Sequence, residues 1–215
     1  MTNLGKYSAA FWLDIAVTAA LVCLPAFGAF SGLQQFEGKA FVWRLATYPI
    51  AALIIPVIWA VRGRKPGYLY AADILLTLPF LIDTVGNALD FYDAIEWWDD
   101  ANHLVNWALL SGAMGAIWRP RFSSWTTLGL VVGFGAATAI LWEIAEYLAF
   151  IRNSPELATA YQDTLGDMAL GLAGSFLAGL GFGFAPRRKP DLLDRVEPPP
   201  SEPRKQRHGS PGHRD

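Results

Sequence analysis

The stretch that decides the fold is DTVGNALDFYDAIEWWDDANH, residues 83–103, which lies between two long apolar segments. It carries six acidic residues and no Lys or Arg, and its His103 is the only histidine before the C-terminal tail. A polar stretch of this length between apolar segments predicts the end of one transmembrane helix, a short turn and the start of the next.

The composition of the rest of the chain is typical of an integral membrane protein. Hydrophobic residues make up 53% of the 215 residues, charged residues only 17%, and the mean hydropathy is +0.28. Soluble domains have about 25% charged residues, so a soluble enzyme or a nucleic-acid-binding domain is not expected. The single cysteine, Cys23, excludes a disulfide framework and a cysteine-based metal site.

Six apolar segments of about 18–26 residues are each long enough to cross a hydrocarbon core of about 30 Å as a helix. Helices are required because lipid offers no partner for backbone N–H and C=O groups. We therefore predict an all-α bundle of six transmembrane helices in the inner (plasma) membrane. The predicted spans are residues 9–32, 41–61, 69–90, 101–118, 125–150 and 164–185.

The orientation of the bundle follows from the Lys and Arg residues of the loops, because positive charge is enriched on the cytoplasmic side. Nine such residues fall on the side of both termini, and only Lys39, Arg44 and Arg152 fall on the other side or near it. Both termini are therefore predicted to be cytoplasmic, with residues 83–103 at the outer face. The nine are Lys6, Arg62, Arg64, Lys65, Arg119, Arg121, Arg187, Arg188 and Lys189.

The amino-acid composition changes after residue 185, and this change predicts that the chain has two parts. Residues 1–185 form the membrane domain, and residues 186–215 hold seven prolines, eight basic residues and almost no large apolar ones. Such a segment cannot bury enough apolar surface to offset its ordering entropy. It is expected to be a disordered cytoplasmic tail.

Polar residues fall on one face at the predicted outer end of four helices. Their spacings are three or four residues, which places them side by side on a helix. Random placement of acids would not give the same depth on every helix. The four sets are Asp83, Asn87 and Asp90; Asp99, His103 and Asn106; Glu143 and Glu146; and Asp163 and Asp167.

Three interpretations of this cluster stay open. The first is a divalent-metal site for Mg²⁺, Ca²⁺, Mn²⁺ or Zn²⁺, with Asp83 or Asp90 as a general base. The second is a proton or ion relay in which neighbouring carboxylates share protons. The third is a set of solvated polar helix ends. The ligands in the first interpretation are Asp99, His103, Glu143, Glu146, Asp163 and Asp167.

The last predicted span carries small residues on the same face as Asp163 and Asp167. Small side chains at helical spacing let the backbones of two membrane helices approach closely. We therefore predict a packing face formed by Gly171, Gly174, Ala178 and Gly181.

Three short motifs resemble those of the YjdF-type family of uncharacterised bacterial inner-membrane proteins. They are WWDDANH at 97–103, WEIAEY at 142–147 and DTLGDM at 163–168, within a resemblance that covers about residues 70–180. Their order is more distantly similar to that of the VanZ-like membrane proteins. The resemblance implies the same membrane fold and a shared polar site, and its VanZ-like part implies an envelope-related role. Carried over by position are Asp99, His103, Glu143, Glu146, Asp163 and Asp167.

The leading functional hypothesis is a metal-assisted enzyme that acts from the outer face on a lipid-linked or envelope substrate. The alternatives are a small proton- or ion-coupled transporter and a non-catalytic membrane partner protein. The bilayer is the one partner that the sequence indicates, and no nucleic acid is expected. The substrate, the reaction and the oligomeric state are not given by the sequence.

Overall fold

A computed structural model of the chain describes residues 8–64, 67–149, 151–153 and 155–186, with the side chains of residues 149 and 156 left out. Within those ranges the ordered elements are helices, which confirms the predicted all-α class. Short 3-10 turns cover Gln34–Phe36, Ile151–Asn153 and Pro155–Ala158. The α-helices are α1 Ala9–Phe30, α2 Phe41–Thr47, α3 Pro49–Val61, α4 Tyr70–Ala88, α5 Phe91–Ala94, α6 Trp98–Trp118, α7 Ser124–Ala149 and α8 Ala160–Phe184.

Among the described residues, five segments are long and apolar enough to cross a membrane. They are α1, α2 together with α3, α4, α7 with the turn that follows it, and α8. Their outward surfaces carry large apolar side chains such as Phe30, Val61 and Leu141, which are suited to contact with lipid. The prediction of a multi-pass membrane protein is confirmed.

Helix α6 differs from these five. It has 21 residues, which is sufficient length, but it is not one of the apolar segments. Its first two turns carry Asp99, Asp100, Asn102 and His103, which lower its hydropathy. The sixth span and the cytoplasmic placement of the termini therefore stay predictions. The predicted tail lies outside the described residues apart from Pro186.

The predicted second span is divided into two helices at Tyr48. Pro49 follows as the first residue of α3, and its missing N–H cannot continue the hydrogen bonding of α2. Arg44, in the last turn of α2, and Tyr48 both contact the Asp83 carboxylate of α4. The break between the two helices thus lies beside Arg44 and Tyr48, whose side chains both bind Asp83 of α4.

Helices α6 and α8 approach each other closely at two glycines of α8. A Cβ atom at Gly171 would lie 2.8 Å from the Trp107 ring and 3.1 Å from Ala139 on α7. A Cβ atom at Gly174 would collide with the carbonyl oxygen of Leu104. Small residues are therefore required where α8 meets its two neighbours.

The predicted packing face of α8 is correct in its first half and drifts in its second. Gly171 and Gly174 are buried, whereas Gly181 is exposed and a Cβ atom there would meet nothing within 4 Å. Gly179 and Gly183 are buried instead. The drift follows the line along which α8 meets α7, because Gly179 lies against Leu128 and Gly183 lies against Ser124 of that helix.

We expect Gly174→Ala to destabilise the protein by about 1–3 kcal/mol, the usual cost of overpacking a well-packed interior. The obstacle is the backbone of α6, which cannot move aside as a flexible side chain can. Gly181→Ala on the same helix is the matched control and should be neutral or slightly stabilising. Thermal unfolding in detergent measures both, and equal behaviour of the two variants would contradict this packing.

Candidate metal centre

His103 is the centre of a buried polar cluster between α6, α7 and α8. It lies in the second turn of α6 and is only 8% exposed. Its Nδ1 atom lies 3.5 Å from Glu143 Oε1, and its Nε2 atom lies 3.7 Å from Asp167 Oδ1. Asp99, one turn earlier on α6, places Oδ1 3.9 Å from the same Nε2 atom. The imidazole thus faces carboxylates at both nitrogens.

The position of these groups follows from the packing of α6 against α8. Trp107 follows His103 by one turn on α6, and Gly171 follows Asp167 by one turn on α8. Because Gly171 has no side chain, it admits the Trp107 ring. The turn before it then brings Asp167 beside His103. A larger residue at position 171 would separate the two helices and hence the imidazole from the carboxylate.

The cluster contains two groups of potential metal ligands, and both include His103. One consists of Asp99, His103 and Asp167, and the other of His103, Glu143 and Glu146. Within each group the ligand atoms lie within 4.8 Å of one another. Glu143 and Asp167 are each only 4% exposed, whereas half of the Asp99 side chain is exposed. Glu143 and Asp167 are therefore shielded from solvent, whereas the centre is open to solvent beside Asp99.

Two buried atoms of the cluster lack hydrogen-bond partners. They are His103 Nδ1 and Glu143 Oε1, the two atoms that face each other at 3.5 Å. A buried polar atom without a partner costs about 1–3 kcal/mol, so such atoms usually have a ligand or water. A cation between the two would satisfy both at once.

The distances fit a bound cation. Two ligands of a tetrahedral Zn²⁺ site, at about 2.0–2.2 Å from the metal, lie about 3.4 Å apart. Two ligands of Ca²⁺ at about 2.4 Å and at right angles also lie about 3.4 Å apart. The observed separation of 3.5 Å matches either ion. The imidazole nitrogen favours zinc, whereas the carboxylates suit zinc as well as the harder divalent ions.

Asp163, a predicted ligand, lies at the edge of this cluster. It is exposed and belongs to neither ligand group. It interacts electrostatically with Asp99, His103, Glu143 and Asp167. Its place is one turn before Asp167 on α8, where it adds negative charge at the mouth of the centre.

The structure gives Asp83, a predicted general base, a different set of contacts. Its Oδ2 atom accepts hydrogen bonds from Arg44 Nε at 2.9 Å and from Tyr48 Oη at 2.6 Å. Its Oδ1 atom accepts from Tyr92 Oη at 3.0 Å and from Asn87 Nδ2 at 3.1 Å. These contacts tie α4 to α2, to the α2–α3 junction and to α5.

The other predicted general base, Asp90, has a left-handed backbone conformation (φ 59°) just after α4 and pairs with Lys39. Lys39 also donates a hydrogen bond to the Asn87 carbonyl at 3.0 Å. The partners that sequence reasoning missed are Lys39, Tyr48 and Tyr92. The signal for Lys39 was present, since it is an outer-loop cation opposite an acidic stretch. Nothing in the spacing pointed to either tyrosine.

The family model for DUF2238, described as "Predicted membrane protein", matches residues 16–188. The chain belongs to the DUF2238 family. The matched range contains all of α2 to α8 and therefore the whole His103 cluster. No curated protein and no solved structure gives a significant match.

If the cluster binds a divalent cation, chelator should lower the melting temperature of this DUF2238 protein, and added cation should restore it. His103→Ala and Glu143→Gln should lose the response, because the first removes the Nδ1 ligand and the second removes the carboxylate charge that faces it. Asp93→Asn, at an exposed acid outside both ligand groups, is the control and should respond as wild type does. Elemental analysis of the same samples should show metal in wild type and Asp93→Asn only. A melting temperature that ignores chelator but follows pH would instead indicate a proton relay.

Proposed function

We propose that this DUF2238 protein is a metal-assisted membrane enzyme that acts on a lipid-linked or envelope substrate at the His103 centre. One observation supports this most: an imidazole and two carboxylates from three helices meet in the interior of the bundle, each no more than 8% exposed. Several buried acids of one charge require a compensating cation or shared protons. A divalent cation would compensate the charge and would also fill the position between His103 Nδ1 and Glu143 Oε1.

We assign the cation to the Nδ1 side of His103, with Glu143 and Glu146 as carboxylate ligands. The support is the pair of unpartnered atoms on that side. A histidine ligand usually donates its other N–H to a carboxylate, which fixes the orientation of the ring. Asp167 and Asp99, which face Nε2, suit that role.

The chemistry of such a centre is hydrolytic. A bound divalent cation activates water and polarises a carbonyl or phosphoryl oxygen. Water can enter beside Asp99, whose side chain is half exposed. Asp83 and Asp90, the predicted general bases, already bind Arg44 and Lys39. We therefore propose that they hold α4 in place rather than move protons.

An apolar groove supports a lipid as the substrate class. It lies between α7 and α8, has a volume of about 540 Å³ and includes Glu143 in its lining. Most of its other lining residues are large, apolar and exposed, among them Ile144, Leu148 and Leu165. On a transmembrane helix pair such a groove faces hydrocarbon, where acyl chains are the abundant partner. A lipid in the groove would bring its polar end to Glu143.

The remaining predictions from the sequence belong to this proposal. They are a sixth span formed by α6, a kinship with YjdF-type proteins, and cytoplasmic termini with the site at the outer face, which the Lys and Arg bias of the loops predicts. The motifs at 97–103, 142–147 and 163–168 support the kinship, since they supply the residues of the His103 centre.

The lipid substrate can be tested with purified protein in vesicles of a total bacterial lipid extract, with products followed by mass spectrometry. Wild type should change at least one lipid species, and Glu143→Gln should not. Ile144→Trp fills the groove and should raise KM for that lipid, whereas Leu141→Trp, exposed nearby but outside the groove lining, should not. No lipid change with metal-loaded wild type would exclude a lipid substrate.

The topology can be tested with single cysteines in a Cys23→Ser background. A cysteine at position 96 should react with a membrane-impermeant thiol reagent in intact cells, because residues 83–103 are expected outside. A cysteine at position 64 should react only after lysis. The reverse pattern would overturn the orientation, and labelling of both positions from outside would overturn the span count.

A further inference from the structure

A second pair of buried acids lies far from the His103 centre. Asp14, in the second turn of α1, is 8% exposed, and Asp73, in the first turn of α4, is 2% exposed. Asp73 precedes Asp83 by ten residues on the same helix, which corresponds to about 15 Å at 1.5 Å per residue. The two acids therefore belong to the opposite end of α4 from the Arg44–Asp83 ion pair.

The packing of α1 on α4 places Asp14 and Asp73 at the same depth along the two helices. The rings of Phe11 and Tyr70 meet edge to face, with 6.1 Å between centroids. Asp14 follows Phe11 by three residues, and Asp73 follows Tyr70 by three residues. Residues three apart lie on the same face of a helix. The two carboxylates interact electrostatically, as this register requires.

Two buried oxygen atoms at this point, Asp73 Oδ1 and the Thr77 hydroxyl, lie close together but form no well-directed hydrogen bond. The other carboxylate oxygen, Asp73 Oδ2, accepts a hydrogen bond from the Tyr68 hydroxyl. Thr77, one turn later on α4, is 1% exposed. Helix threonines usually donate to the carbonyl four residues earlier, as Thr84 and Thr138 do here. The Thr77 hydroxyl is not used in that way.

Two buried carboxylates at one point need a positive charge. Within the described ranges, no Lys, Arg or His side chain forms a hydrogen bond or ion pair with Asp14 or Asp73. An uncompensated carboxylate buried in a membrane helix is unfavourable. A cation or shared protons must therefore offset this cost.

We propose that Asp14, Asp73, Thr77 and Tyr68 form a second site, which holds one hard cation through oxygen atoms alone. Carboxylate and hydroxyl oxygens suit ions such as Na⁺, Mg²⁺ and Ca²⁺, whereas zinc favours nitrogen and sulfur ligands. The site therefore differs in selectivity from the His103 centre. A cation there links α1 to α4, and it stabilises the packing of the first helix on the bundle.

The experiment uses the full chain with His103→Ala, which removes the nitrogen ligand of the outer centre, and the Asp14→Asn and Asp73→Asn variants in that chain separate the second site from the remaining outer carboxylates. The protein is stripped with chelator, exchanged into choline chloride and titrated separately with Na⁺, Mg²⁺ and Ca²⁺ at constant ionic strength. At ten times the dissociation constant, one of these ions should raise the melting temperature by roughly 3–6 °C. Asp14→Asn and Asp73→Asn should abolish that shift.

Thr77→Val removes one hydroxyl at nearly constant shape and should raise the half-saturating cation concentration roughly two- to tenfold. Thr84→Val is the matched control, because its hydroxyl bonds to its own helix, and it should leave that concentration unchanged. If an Asn variant fails to fold, equilibrium dialysis of ²²Na⁺ or ⁴⁵Ca²⁺ with the Thr77→Val and Thr84→Val chains gives the same comparison.

The site is overturned if none of the three ions raises the melting temperature of the His103→Ala chain. It is also overturned if the shift persists in Asp73→Asn, or if stability follows pH alone, which would mean that the acids share protons. None of these results affects the proposal for the His103 centre, because its chelator response is measured in a chain that retains Asp14 and Asp73.

Discussion

The contact of Gly171 and Gly174 with α6 is the constraint on which the candidate centre depends. Trp107 fills the space above Gly171, and Leu104 places its carbonyl against Gly174. With α8 this close to α6, the side chains one turn earlier have no room for a water layer. His103 and Asp167 therefore meet directly, and Glu143 joins them from α7. The relative positions of the acids therefore depend on these two glycines, which have no side chain to hold the helices apart.

Burial gives this cluster its chemical character. Exposed acids are screened by water and ions, so their proximity alone means little. Here Glu143 and Asp167 are almost fully buried, and two facing polar atoms are unpartnered. Such an arrangement stores electrostatic free energy that a cation or a proton can release. The Asp83 network shows the contrasting case, in which a carboxylate receives Arg44 and three neutral donors.

Glu143 belongs both to the apolar groove and to the polar centre. At this residue a hydrocarbon environment therefore meets an aqueous one. The groove side is suited to hydrocarbon, and the Asp99 side is open to water. A substrate with an acyl chain and a polar head group spans the same boundary. This is the physical reason for proposing a lipid-linked substrate rather than a small water-soluble one.

The sequence by itself determined the helical class and most helix positions, and it nominated the residues of the candidate centre. Apolar segments of membrane-spanning length allow only helices, and acids at helical spacing must share a face. Tertiary structure decided which of those acids meet. It separated Asp83 and Asp90, which took Arg44 and Lys39 as partners, from the acids around His103. It also buried Asp14, because the packing of α1 on α4 brings Asp73 beside it. Periodicity fixes the face of one helix, whereas contact between faces depends on side-chain volume at distant positions.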